Sequence, residues 1–275
     1  MKICKAAMHR ARRLFSVTII TMVAIWLPSR STSQAAHTTS QIKKPLIYQV
    51  GNVVRINAEG PLSLLRALNA LQEKYGWIVD YEDPQYPADL DLGANPQSRP
   101  WRRHPNARNV REGGFSVQLN TGPALDSRPD EESVLTIVVD GYNQSNGVGQ
   151  FELRKEQDGR FEVVGTGVRG EGDEVSNQTP ILDLRITLTT KRRSADETIA
   201  VICQEVSKQS KIPVTPGGIA GSLRERKVVG VGGTEVSART LLARTLASMR
   251  IRLSWRLLYD SSGKSYELTV LGLPQ

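Results

Sequence analysis

Histidine and cysteine are scarce in this chain, and their scarcity narrows its chemistry first. Of 3 histidines, only His37 and His104 follow the basic N-terminal segment, and both lie in polar stretches without apolar periodicity. No Ser-His-Asp or Cys-His arrangement is therefore expected inside a core. The 2 cysteines are Cys4, in the basic head, and Cys203. With the head removed a single thiol remains, so no intramolecular disulfide can form and stability must come from burial. Cys203 falls on an apolar helix stripe, where it reads as a small core residue rather than a nucleophile. Zinc sites need clusters of these residue types, and the sequence has none. No catalytic, metal-binding or cofactor-binding residue is assigned, and no cofactor is expected.

Long apolar runs are lacking too. The longest, residues 14–27, is shorter than the roughly 17–25 residues that span a bilayer as a helix. It follows Lys2, Lys5, Arg10, Arg12 and Arg13, with no acidic residue among them, and precedes Ser33-Gln34-Ala35. Basic, apolar, then small is the order of a secretory signal, here residues 1–35. The alternative is an uncleaved anchor. With the signal cleaved, no transmembrane segment is expected, and the chain reads as exported, to the periplasm or beyond the cell.

Strong net charge disappears with the signal. The full chain is +8, but residues 1–35 hold six Lys/Arg and no acid, which leaves 30 basic against 28 acidic groups. Nucleic-acid binding on bulk charge is thereby excluded. An internal asymmetry survives: residues 36–180 are net −5 and residues 181–275 net +7. Modules of opposite sign attract each other or face different partners.

What is present is one pattern written twice: strand, helix, strand, then strand, helix and a closing β-hairpin. Such a repeat sets the architecture before any single residue does. In the C-terminal copy, Leu182, Leu184, Ile186 and Leu188 alternate with polar residues as a strand. Ser194 and Glu197 form a capping box, and Ile199, Ile202, Cys203 and Val206 make one helical stripe. Pro213 and Pro216-Gly217-Gly218 end that helix; residues 227–231 form a strand, and Thr234 or Ser237 caps a second helix. The hairpin is expected to pair Leu257 with Tyr266, Trp255 with Leu268 and Arg256 with Glu267. In the N-terminal copy, Val53, Val54 and Ile56 form a strand, Gly60-Pro61 opens a helix lined by Leu64, Leu65, Leu68 and Leu71, and Gly76 stops it. Phe115, Val117 and Leu119 alternate as a strand, and Val134, Ile137, Val138 and Tyr142 space as a helix. A three-residue loop with Gly159 left-handed pairs Leu153 with Val163 and Arg154 with Glu162. The class is α+β, with two βαββαβ-like modules, each a small sheet packed on two helices. They span 46–166, with an irregular insertion at about 83–114, and 181–273, joined by a linker at 167–180.

The stretch from Ile186 to Val270, through RSADETIAVICQEVSKQSKI, KVVGVGGTEVSARTLLARTLASMRIRLSW and YELTV, resembles the secretin and TonB short N-terminal domain. VVRINAEGPLSLLRALNALQEKYGWIVDYE resembles its opening half more faintly. The resemblance implies an envelope protein–protein contact module built of two βα halves closed by a hairpin. Members are attached to an outer-membrane pore or receptor; in this sequence no barrel follows the second copy.

Two clusters bear on function. Asp80, Glu82, Asp83, Asp89 and Asp91 are the densest group of acids; paired carboxylates serve glycoside hydrolysis or hold calcium. The prolines among them favour a solvated loop. Gly230 to Gly233 lack the Lys-Ser/Thr of a phosphate loop and read as a turn. The partner-binding candidates are Arg250, Arg252 and Arg256, expected on the solvent face of one strand, with Arg224, Arg226 and Lys227 near them in sequence. They suit an acidic partner, the acidic N-terminal module included, or form a solvated face. The leading function is an exported, non-catalytic envelope module that binds an unknown envelope protein, through charged faces or a sheet edge. The alternatives are an envelope hydrolase using the Asp80 to Asp91 acids, and a surface module for anionic polymers.

Overall fold

Alternation and capping build the first half. A computed structural model describes residues 46–51, 53–60, 62–87, 90–91, 108–109, 114–120, 129–145, 147–156, 159–170, 174–219, 228–249 and 251–273. Strands β1 (Ile47–Val50) and β2 (Val53–Ala58) form a hairpin, with Val54, Ile56 and Ala58 turned into the core. Helix α1 (Ser63–Tyr75) buries Leu64, Leu65, Leu68 and Leu71. Gly76 ends it at φ 67°, a left-handed conformation that glycine adopts without strain, and its N–H donates to Gln72 O at 2.8 Å. Then come β3 (Val79–Glu82), the two-residue strands β4 (Leu90–Asp91) and β5 (Arg108–Asn109), and β6 (Phe115–Asn120), which pairs antiparallel with β2. Asp130 caps α2 (Glu131–Asn143) by accepting from Ser133 N. Strands β7 (Gly149–Lys155) and β8 (Phe161–Arg169) form the hairpin with Leu153 opposite Val163 and Arg154 opposite Glu162, and Gly159 at φ 82°. Strand β9 (Val175–Asn177) folds back on β8.

The second half repeats the order. A 3-10 turn over Ile181–Asp183 leads to β10 (Arg185–Ser194) and α3 (Ala195–Ser210), whose Ser194/Glu197 capping box is complete. Strand β11 (Val214–Ile219) follows, then β12 (Val228–Ser237), antiparallel to β10. Ser237 caps α4 (Ala238–Ala247). Strands β13 (Leu253–Asp260) and β14 (Ser265–Gly272) close the chain.

The class is α+β, and the two halves share one sheet. In the first half β3 lies parallel to β8, and β8 antiparallel to β7; in the second, β11 lies parallel to β14, and β14 antiparallel to β13. Parallel pairing of β13 with β3 then joins them in the order β11-β14-β13-β3-β8-β7. Lys44–Gln275 pack as one compact unit. Each half keeps its own apolar cluster, around Leu68, Leu71, Trp77 and Leu135 in the first and around Ile199, Ile202, Leu241 and Trp255 in the second.

Several expectations change. The closing hairpin is shifted by two residues, with Trp255 opposite Val270, Leu257 opposite Leu268 and Arg256 opposite Thr269. Asp260 Oδ1 accepts from Ser262 N at 2.9 Å and from Ser262 Oγ at 2.6 Å, which moves the turn beyond Asp260 and lengthens both strands. A shift of two keeps the same side chains on the apolar face, so hydrophobic alternation alone does not distinguish the registers. Pro216-Gly217-Gly218 does not merely end a helix but runs within β11 at the sheet's edge, where a missing N–H is tolerated. Of the residues read as linker, 167–169 belong to β8 and 175–177 to β9. Gln178 exchanges two bonds with the main chain of Gln85, at 2.7 and 2.9 Å. The insertion therefore starts from a packed segment, with Asp83, Pro84 and Tyr86 buried. On α2, Leu135 and Val139 are buried, while Ile137 is 42% exposed.

Helix α2 crosses β6 at Gly141, where an added Cβ would stand 2.3 Å from Val117 Cγ1. Gly141→Ala should cost about 1–3 kcal/mol by overpacking. Measured by urea denaturation, Val117→Ala in the same chain should recover part of that loss, because the two residues touch.

Candidate functional site

Of the arginine row, Arg256 points inward and Arg252 stays exposed. Arg250, Arg224, Arg226 and Lys227 lie outside the described residues. Arg256, expected on a solvent face and paired with Glu267, is instead 4% exposed. Its Nη1 donates to Val79 O at 2.7 Å and Ser254 Oγ at 2.9 Å; its Nη2 donates to Asn69 Oδ1 at 2.7 Å and to Gln72 Oε1. Arg252 donates to Gly76 O. Arg252 thus engages the C-terminal end of α1, where carbonyl groups carry partial negative charge, and Arg256 the amide side chains of Asn69 and Gln72 on the same helix. Burial pushes the Arg256 guanidinium down to about 10, since neutral oxygens supply most of its direct contacts. The physical reason for the inward turn is the β13·β3 pairing, which covers this strand with the first half of the molecule.

The acids are drawn to the same seam. Asp80, Glu82 and Asp83 do not lie in a solvated loop: all three are buried, the first two within β3. The side chain of Asp91 and all of Asp89 lie outside the described residues. Asp80 Oδ1 accepts from Trp255 N at 2.8 Å, and its Oδ2 lies 3.4 Å from Arg160 Nη1. Asp83 receives three donors: Tyr81 Oη at 2.6 Å and Tyr86 Oη at 3.3 Å on Oδ1, and Tyr259 N at 3.1 Å on Oδ2. Asp83 N donates to Leu257 O at 2.9 Å. Asp80 of β3 and Asp83, the residue after it, thus extend with their carboxylates the pairing of β3 with β13 of the other half.

At the centre lies Arg239, the second residue of α4, which carried no distinguishing mark in the sequence. Its guanidinium donates to Glu82 Oε2, to Glu162 Oε2 at 2.8 Å and to Asp183 Oδ1 at 2.8 Å. It also stands 5.7 Å from the Trp255 ring centre. Glu82 Oε1 accepts from Leu182 N at 3.3 Å, and Arg154 pairs with Asp183 at 2.8 Å. Burial pushes Asp83 and Glu162 each up to about 7, against the pull of their donors and, at Glu162, of the Arg239 charge. Burial likewise raises Glu82. At Asp183, burial is outweighed by Arg239 and Arg154, which hold its carboxyl below the usual range. Arg239 is itself desolvated, yet its three carboxylates raise it further. The arrangement is an ionic clamp between the halves, and its carboxylates are turned to protein donors rather than outward.

Two grooves open on either flank of α2. One groove, of about 330 Å3, runs between α2 and β7, lined by Glu132, Thr136, Val139, Asp140, Phe151 and Leu153 among others. The second, of about 600 Å3, runs between α2 and β6, past Phe115, Val117, Ile137 and Gln144. Strands β6 and β7 are each the last strand of their sheet. Cys203 is buried, and burial pushes its thiol up to about 12, far from a reactive thiolate. Among the described residues no group of three or more His, Cys, Asp or Glu is placed to hold a metal ion, and no helix is long and apolar enough to cross a membrane.

Comparison with known proteins places no relative beside this arrangement: no family model, no curated protein and no solved structure matches the chain.

Replacing Arg239 with Met should destabilise the chain by about 3–5 kcal/mol, because it strands buried carboxylates. Adding Glu82→Gln and Glu162→Gln should return much of that in urea denaturation. The pH dependence follows from Asp83 and Glu162. Both hold their proton more tightly folded than unfolded, so their contribution is full below about pH 4 and is lost as pH rises through about 7. Asp183, with its lowered carboxyl, acts oppositely at the acid end. The urea midpoint should therefore fall between about pH 5 and pH 8, and Glu162→Gln should flatten that fall.

Proposed function

We propose that the chain is an exported, non-catalytic protein–protein interaction module of the cell envelope, acting in the periplasm or outside the cell. One observation carries the reading. Of the acids that would serve hydrolysis, Asp80, Glu82 and Asp83 are buried in the seam that joins the halves, whereas strand edges with grooves beside them lie on the surface. The fold also contains an example of how such an edge is used, since β3 of one half takes β13 of the other. The basic, apolar and small segments at the N-terminus support export. The likeness to secretin and TonB short N-terminal domains supports an envelope contact role.

A photo-crosslinking residue at the exposed position of Ile137, between the grooves, tests the reading. With envelope extract it should give one discrete adduct, identified by mass spectrometry and reproduced with the purified partner. The same probe at Leu271, 36% exposed, should give none. Turnover of envelope polysaccharide by the purified chain, with no adduct at Ile137, would replace the reading with the hydrolase alternative.

A further inference from the structure

Each half ends in a hairpin whose first strand has a second, outward edge, and one of these edges is already used. The hairpin registers make the two comparable. Leu153 opposes Val163, which opposes Tyr81 of β3; Leu257 opposes Leu268, which opposes Pro216 of β11. Leu153 therefore corresponds to Leu257, Phe151 to Trp255 and Lys155 to Tyr259. In the helices before them, Asp130 and Ser237 are the caps, so Glu132 corresponds to Arg239.

In the second half this edge is filled by β3, in parallel. Trp255 N–H goes to Asp80, Leu257 O accepts from Asp83 N, Tyr259 N–H goes to Asp83, and Arg239 grips Glu82. In the first half the same positions are only partly satisfied. Phe151 N donates to Asn143 Oδ1 at 3.0 Å, and its carbonyl accepts from Asn143 Nδ2 at 2.7 Å, so an amide side chain stands in for a strand there. Alternation turns the main-chain groups of Leu153 and Lys155 the same way, outward from β8. No hydrogen bond to those groups is formed among the described residues. The groove between α2 and β7 lies alongside them.

Resting on the reading of the chain as an interaction module, we infer that the outer edge of β7 accepts an extended strand of another protein, parallel to β7, with a basic residue set over Glu132. The basic residue follows from charge. Where Arg239 meets Glu82 inside the molecule, the open edge presents Glu132, with Asp140 and Glu152 also lining the groove, in a half that is net −5. Lys155 holds Glu132 at 2.6 Å in a pair that is half exposed on both sides, an exchangeable contact of small worth. The residue after the basic one would give its N–H to Leu153 O, and an acceptor side chain there would take Lys155 N–H, as Asp83 does for Leu257 and Tyr259. A second copy of this chain is a poorer occupant. The strand that matches β3 in its second half is β11, where Pro216 removes a donor and Gly217 and Gly218 offer no side chain in place of Glu82 and Asp83.

The probe comes from the molecule itself: a labelled peptide of residues 77–84 carrying Glu82→Lys, compared by fluorescence polarisation with the unaltered 77–84 peptide. The full chain should bind the Glu82→Lys peptide at least about tenfold more tightly than the unaltered one. Glu132→Arg in the chain should reverse that order. Lys155→Pro, which deletes the outward N–H, should weaken the preferred peptide by about tenfold or more. Should Lys155→Pro disturb the hairpin by circular dichroism, the Glu132→Arg reversal decides alone. Equal binding of both peptides, or binding indifferent to Glu132→Arg, overturns the inference. If neither peptide binds but the Ile137 adduct persists, the acceptor edge is wrong while the module reading stands; loss of both overturns both. Self-association in sedimentation velocity that Lys155→Pro abolishes would make a second copy the occupant and overturn the assignment to a foreign strand.

Discussion

A guanidinium taken out of water is costly, by several kcal/mol after relaxation, and the cost is recovered only when its donors are well met. Arg239 meets that condition with three carboxylates from three separate places: strand β3, strand β8 and the turn before β10. A lysine in its place would offer one point charge, whereas the planar fork addresses three directions at once. Two of the carboxylates belong to the first half of the molecule and the arginine to the second. The pairing of β13 with β3 spans only two residue pairs, so main-chain bonding alone holds the halves weakly. Remove the guanidinium and two buried acids lose their counter-charge together. The acids, the tyrosines around Asp83 and the arginines that meet α1 are organised along the same seam.

The duplicated pattern makes the differences between the halves informative. Position for position, one half places an arginine where the other places a glutamate, and an aspartate-bearing strand where the other has Pro216-Gly217-Gly218. A repeat with identical edges would pair end to end without limit, as heterologous contacts that do not close must do. Here the second half has spent its hairpin edge on the first, and its outermost strand lacks both the donor and the acids that a further pairing would use. The result is a chain with unlike ends.

Much of the fold was legible because it rests on local rules. The Ser194/Glu197 box, the Gly76 stop, the alternation of β6 and the Gly159 hairpin all depend on a few neighbouring residues, and the structure contains each of them. The seam was not legible, for a physical reason. Asp80, Glu82 and Asp83 read as solvated because acids normally are, and only a distant arginine makes their burial tolerable. Arg239 sits in a helix of ordinary composition, and nothing local marks it. Its alignment with Glu132 through the two caps was available, but its meaning needed the register of β13. The hairpin shift by two residues escaped because alternation repeats every two and cannot count turns.

The clamp also sets an order on folding. Glu82 and Arg239 are 157 positions apart, and Asp80 and the amide of Trp255 are 175 apart. A chain threading out from its N-terminus delivers the acids long before their counter-charge. Until α4 arrives, Glu82 and Glu162 lack the guanidinium that offsets their burial, which disfavours the final packing of the first half alone. Contacts this distant in sequence are slow to close. The seam between the halves therefore closes only once α4 and β13 are available, late in the order of the chain.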